Sequence, residues 1–155
     1  WAYGSYSFMS QARGQRPYML YAPVQTDKTA ESAAELLKEA REVISTRPLT
    51  AAEITKVKDS AVRALPGGYE TIGAVAAALA DNALYGRADD YVATLKQRIE
   101  AQRDADVQAA AHEIVKPDAL TWVIVGDLSK IEAGVRALNL GAVQVVDADG
   151  KPVTK

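Results

Sequence analysis

The sequence contains no cysteine, one phenylalanine and one histidine in 155 residues. Without cysteine there is no disulfide and no thiolate metal site, a pattern that suits the cytosol and the periplasm alike. A hydrolytic zinc centre draws on two or more neutral imidazoles, and His112 is the single one here. The string His112-Glu113-Ile114-Val115-Lys116 fits neither H-E-x-x-H nor H-x-x-E-H. Helical phase sets His112 off the Val107, Ala111 and Ile114 stripe, facing solvent, so no metal site is expected in the chain itself. An excess of positive charge is also missing. Eighteen Lys and Arg stand against 20 Asp and Glu, a net charge of −2, which leaves no field to hold a nucleic-acid backbone. No apolar run approaches the roughly 20 residues of a membrane helix. No G-x-S-x-G elbow occurs. Pro66-Gly67-Gly68-Tyr69-Glu70 lacks the Gly-Lys-Ser/Thr of a phosphate loop and reads as a helix stop. Asp147, Asp149 and Gly150 have the glycine in the wrong slot for a calcium loop and read as a turn.

What is present is an ordinary globular composition, 48% hydrophobic and 25% charged, with an unusual distribution of aromatics. Trp1, Tyr3, Tyr6, Phe8, Tyr18 and Tyr21 crowd the first 21 residues. Residues 3–10 and 16–24, separated by Gln11-Ala12-Arg13-Gly14-Gln15, predict a β-hairpin with a longer loop. Its tyrosines suit a peptide groove or packing on a helical block. The opening residues read as the middle of a strand, which predicts a piece cut from a larger domain whose exposed edge self-associates.

Helical patterning follows. Asp27 is the expected cap of a first helix with Ala33, Leu36, Leu37, Ala40 and Ile44 on one stripe. Thr50-Ala51-Ala52-Glu53 is a capping box opening a second, with Ile54, Val57, Ala61 and Leu65 inward. Residues 70–85 predict a third with Ile72, Val75, Ala76, Leu79 and Ala83 on one side. Two more cover 88–101 and 104–115, the latter capped by Asp104. The apolar run Leu120–Val125 predicts a central strand buried on both faces. A short helix capped by Ser129 and a strand at Val143–Val146 complete the chain. The expected fold is a two-layer α+β domain, a mixed or antiparallel sheet covered by a helical block. It forms one partial domain: an aromatic hairpin at 1–25, a helical block at 27–115 and a strand–helix–strand closing segment at 119–155.

Several of these stretches, in order, resemble the C-terminal, non-zinc domain of the M16 (pitrilysin and insulinase type) zinc metallopeptidases. Trp1-Ala2-Tyr3-Gly4 resembles the end of the family segment L-R-E-x-x-G-x-A-Y. Pro48-Leu49-Thr50-Ala51-Ala52-Glu53-Ile54 resembles its P-L-T-x-E-E-L, and Leu65-Pro66-Gly67-Gly68-Tyr69-Glu70-Thr71 its L-P-x-x-F-E-T. Leu84-Tyr85-Gly86 with Asp89-Asp90-Tyr91 is similar to its Y-G-L-P-D-D-Y-Y. Asp106–Ala111 and Val123–Asp127 resemble its late helix and closing strand.

The resemblance implies a domain that faces a zinc-bearing domain, in cis or in trans, across a peptide chamber. It implies Tyr3 as the catalytic phenol, a donor to the developing oxyanion, with Gly4 and Ser5 beside it on the substrate. The family's companion Arg would fall before Trp1. Zinc would belong to the facing domain, and no cofactor to this chain. The resemblance also implies a bacterial periplasmic or exported protein, with a cytoplasmic one as the alternative. Two other readings stand beside the peptidase: an inactive scaffold subunit of the same fold, and an unrelated helical binding module that docks through the hairpin.

Overall fold

A computed structural model describes residues 1–153. The elements run β1 (Tyr6–Met9), β2 (Tyr18–Tyr21), α1 (Thr29–Glu42), α2 (Ala51–Ala64), α3 (Ile72–Tyr85), α4 (Tyr91–Glu100), α5 (Asp104–Ile114) and α6 (Leu128–Ala137). β1 and β2 form a two-stranded antiparallel sheet, so the described chain is α+β. It divides into two compact units. One comprises Trp1–Ser7, Leu20–Glu39 and the chain from Ala119 onward. The other comprises Phe8–Met19 and Ala40–Asp118.

In the first unit the chain start is tied down by an Ala2–Val24 bridge and by the Gln25 amide, which donates to the Trp1 carbonyl at 3.0 Å. Lys28 Nζ lies 5.6 Å from the Trp1 ring centroid, a cation–π distance. A 3-10 turn at Thr26–Lys28 leads into α1, and the side chain of Asp27 makes no cap. Ala33 on α1 and Ile131 on α6 are buried. Gly134 lets the two helices come close, since a Cβ there would meet the Ala30 Cβ at 3.1 Å. Asp127, rather than Ser129, caps α6. Its carboxylate accepts both the Ser129 amide (3.1 Å) and the Ser129 hydroxyl (2.6 Å).

The expected strands at 120–126 and 143–146 are not formed. Residues 120–126 make no ladder with any described segment, and Val146 contributes one isolated bridge, to Pro152. Nor is 120–126 buried on both faces. Leu120, Trp122 and Ile124 are half-buried, while Val123 and Val125 are 84% and 94% exposed. Composition sets the apolar alternation, but a strand also needs a neighbour to receive its amides and carbonyls, and no described segment supplies one. Asp147–Gly150 is a plain turn, held by the Asp147 carboxylate accepting the amides of Asp149 and Lys151.

In the second unit the capping box is complete. Thr50 Oγ1 accepts the Glu53 amide at 3.2 Å, and Glu53 Oε2 accepts the Thr50 amide at 2.8 Å. These bonds, first that from the Thr50 amide and then that from its hydroxyl, hold the Glu53 carboxyl below its ordinary range. Ile54 is buried, but Val57 points outward at 67% exposure. The inward row is Ile54, Lys58, Ala61 and Leu65. Lys58 earns that place through its ammonium, which donates to the carbonyls of Glu100 and Gln102 at 2.9 and 2.7 Å, satisfying the open end of α4.

The stripe expected on α3 is reversed. Ala74, Ala78, Asn82 and Tyr85 form the covered row, and Ile72 (92% exposed), Val75 and Leu79 face out. The side of α3 that is covered is therefore the one carrying the smaller side chains. α5 begins one residue after Arg103, whose guanidinium donates to the Asp106 carboxylate at 2.7 and 2.6 Å. Asp104 is thus the first helical residue, not the cap.

Candidate functional site

One concave site among the described residues lies within the second unit. It is built from two stretches that the sequence separates by about 70 positions. One wall is the β1–β2 loop, where the Ser10 amide donates to the Pro17 carbonyl at 3.1 Å and closes the hairpin. Inside that closure, residues 11–16 make no backbone hydrogen bond of their own among the described residues, so their amides and carbonyls stay available.

The other wall is the α3–α4 corner. Gly86 ends α3 in the left-handed region at φ 62°, where a side chain is disfavoured. The Arg87 amide then donates back to the Asn82 carbonyl at 2.8 Å. That turn sets the Arg87 guanidinium 4.9 Å from the Tyr85 ring centroid and 4.6 Å from that of Tyr91.

The result is a cleft of about 500 Å³ lined by Gln11, Arg13, Arg16, Tyr85, Arg87 and Tyr91, together with Ala12 and Gly14. No carboxylate lines it. Asp89 and Asp90 lie in the turn between Arg87 and Tyr91 but outside the lining. Outside the lining, the Arg98 guanidinium also lies 4.6 Å from the Tyr91 centroid.

Five of the nine arginines, Arg41, Arg47, Arg63, Arg103 and Arg136, are ion-paired. The four with no carboxylate partner among the described residues are Arg13, Arg16, Arg87 and Arg98. In a chain of net charge −2 this concentrates uncompensated positive charge at one place. A second groove, along the outer side of α2, carries Lys56, Asp59 and Arg63, with Arg63 paired to Asp59 at 3.9 Å.

The residues singled out by the resemblance belong to the first unit. The Tyr3 side chain is 102% exposed, touches nothing that would bury it, and follows the Ala2–Val24 bridge. Gly4 is half-buried under the Tyr6 ring, because a Cβ there would sit 2.6 Å from the Tyr6 hydroxyl. Ser5 is exposed. Trp1, Tyr6, Phe8 and Tyr21 are exposed as well, while Tyr18 is half-buried. His112 faces solvent, and no group of three or more metal-ligating side chains comes together among the described residues. No described helix is long and apolar enough to cross a membrane.

No known family model matches this chain, nor does any curated protein or solved structure. The resemblance to the pitrilysin type therefore rests on its ordered motifs alone.

Sequence reading missed the arginine cleft. Its signal was present in two halves, Arg13-Gly14-Gln15-Arg16 in a loop and Tyr85-Gly86-Arg87 with Tyr91 at a helix break. Neither half is distinctive without the other.

Proposed function

We propose that this chain is the substrate-enclosing, non-zinc domain of an M16-type metallopeptidase, completing a peptide chamber whose metal lies on a facing domain. The observation that carries the reading is surface, rich in large apolar side chains, that the chain does not cover by itself. A folded monomer of this mass exposes about 7,600 Å², and two separate globules of the two units' sizes about 9,100 Å² together. This chain exposes 11511 Å². The difference, at least about 2,400 Å², is of the size an obligate partner covers.

The exposed surface includes large apolar side chains: the outward row Ile72, Val75 and Leu79 on α3, Val123 and Val125, and Trp1, Tyr3, Tyr6, Phe8 and Tyr21. Tyr3, with its hydroxyl in solvent, is free to meet a substrate carbonyl presented from the other side.

In this reading the chemistry contributed by the chain is one hydrogen bond. The Tyr3 hydroxyl donates to the oxygen that becomes negative as water adds to the scissile carbonyl, and Gly4 and Ser5 lie along the peptide next to it. Zinc, when held by the facing domain, supplies the activated water.

The test reconstitutes the chain with the H-x-x-E-H polypeptide of the same source and follows cleavage of a quenched fluorescent peptide. Zinc-dependent cleavage should require both parts. Tyr3→Phe should lower kcat about 100- to 1,000-fold while leaving Tm unchanged, as loss of an oxyanion donor does. An unchanged kcat would remove Tyr3 from the chemistry and favour the scaffold subunit.

A further inference from the structure

We propose that the cleft between the β1–β2 loop and the α3–α4 corner is a binding site for an acidic peptide segment, whose carboxylates pair with Arg13, Arg16 and Arg87. The site lies wholly in the second unit, involves neither Tyr3 nor any metal, and stands whether or not a zinc-bearing domain completes the assembly.

Charge is the first argument. Arg87 and Arg98 each sit 4.6 Å from the centroid of the Tyr91 ring, so the two guanidiniums are no farther apart than twice that distance. Arg13 and Arg16 bring two more positive charges to the same cleft region, and no carboxylate in the lining offsets any of them. Like charges gathered this closely repel one another. An incoming anion relieves that repulsion and also makes charge-assisted hydrogen bonds, for which the planar guanidinium is the best-suited side chain.

Preorganisation is the second. Arg87 is held on two sides, by its amide in the Gly86 turn and by its stacking between Tyr85 and Tyr91. A guanidinium fixed in this way loses less freedom on meeting a carboxylate than a free one would.

The third argument selects a peptide over a small anion. The cleft, about 500 Å³, is several times larger than a phosphate or a single carboxylate needs. Its loop wall, residues 11–16, offers both amides and carbonyls free of backbone partners. An inorganic anion can use only the amides. An extended chain uses both, laying its own backbone along the loop while alternate side chains reach the arginines.

The experiment is fluorescence anisotropy of the full 155-residue chain with a labelled hexaglutamate peptide at low salt, with hexaglutamine and inorganic tripolyphosphate as comparison ligands. Hexaglutamate should bind and weaken as salt is raised, and hexaglutamine should not bind. Arg13→Gln, Arg16→Gln and Arg87→Gln should each raise Kd roughly tenfold, the effect of removing one charge-assisted hydrogen bond. Arg87→Lys should fall between wild type and Arg87→Gln, because it keeps the charge and loses the planar stack.

Lys56→Gln removes the same charge from the same unit but from the α2 groove, and should leave Kd within about twofold. All four positions are at the surface or half-buried, and circular dichroism melts verify that each variant is folded. Equal binding of hexaglutamate and hexaglutamine would overturn the proposal. So would a Lys56→Gln effect as large as that of Arg87→Gln, which would mean a diffuse charge effect. Tripolyphosphate binding more tightly than hexaglutamate would reassign the cleft to phosphate.

Discussion

Replacing Val123 and Val125 together by lysine separates what the chain needs to fold from what it needs to find a partner. Both side chains stand on the uncovered side of 120–126, at 84% and 94% exposure, while Leu120, Trp122 and Ile124 take the covered side. Because the two valines bury almost nothing within the chain, their loss should leave Tm close to wild type, each change falling within about 0.5 kcal/mol. Covering them is a different matter. Burying a valine is worth about 1.5 kcal/mol, so a surface that closes over both gains about 3 kcal/mol, on the order of 100-fold in affinity, before any backbone pairing along the strand. Lysine forfeits that gain and adds the cost of stripping water from two ammonium groups.

The assay is sedimentation velocity on wild type and the double variant over a concentration series up to high micromolar. Wild type should associate, because unpaired strand backbone and apolar side chains seek cover. The double variant should require about 100-fold higher concentration to reach the same degree of association, with an unchanged melt. A wild type that stays strictly monomeric would refute the reasoning. A double variant that associates equally well, or one that melts several degrees lower, would do the same.

Other outcomes follow from local structure. Thr50→Ala removes half of the α2 capping box and should cost about 1 kcal/mol in urea unfolding; a loss below about 0.3 kcal/mol would mean that the cap is not felt. On acidification, the carboxyls of Glu53, Asp106 and Asp127 are held below their ordinary values by hydrogen bonds, from the Thr50 amide, the Arg103 guanidinium and the Ser129 hydroxyl respectively. Their contribution is therefore complete above the unfolded-state values and is lost as pH falls below about 4, through the lower folded values. Tm should drop across that range, and Thr50→Ala should drop less steeply; parallel pH profiles would argue against the Glu53 share. Asn82 is 4% exposed and neither side-chain amide atom has a protein partner. Asn82→Leu should accordingly leave stability unchanged or raise it, and a loss above about 1 kcal/mol would show that the amide is satisfied in solution.

Local chemistry was legible in the sequence wherever the governing interaction spans a few residues. The Thr50–Glu53 box, the stop at Pro66-Gly67-Gly68, the Gly86 terminus and the Asp147–Gly150 turn all involve groups within about four positions of one another. The helices exist where periodicity put them for the same reason, and Ala33 and Ala40 lie on the covered side of α1 as the stripe required.

Tertiary structure alone decided which side of a helix is inward when two sides are both apolar. α3 carries Ile72, Val75 and Leu79 on one side and Ala74 and Ala78 on the other. Hydrophobicity favours covering the first, but the fold covers the second. It also decided the state of 120–126, since β-propensity sits in the residues whereas a ladder requires a second segment to pair with. The arginine cleft belongs to the same class. Arg13 and Arg16 meet Arg87, Tyr85 and Tyr91 only after the hairpin loop and the α3–α4 corner come together, and a charge cluster assembled from distant segments leaves no pattern within either one.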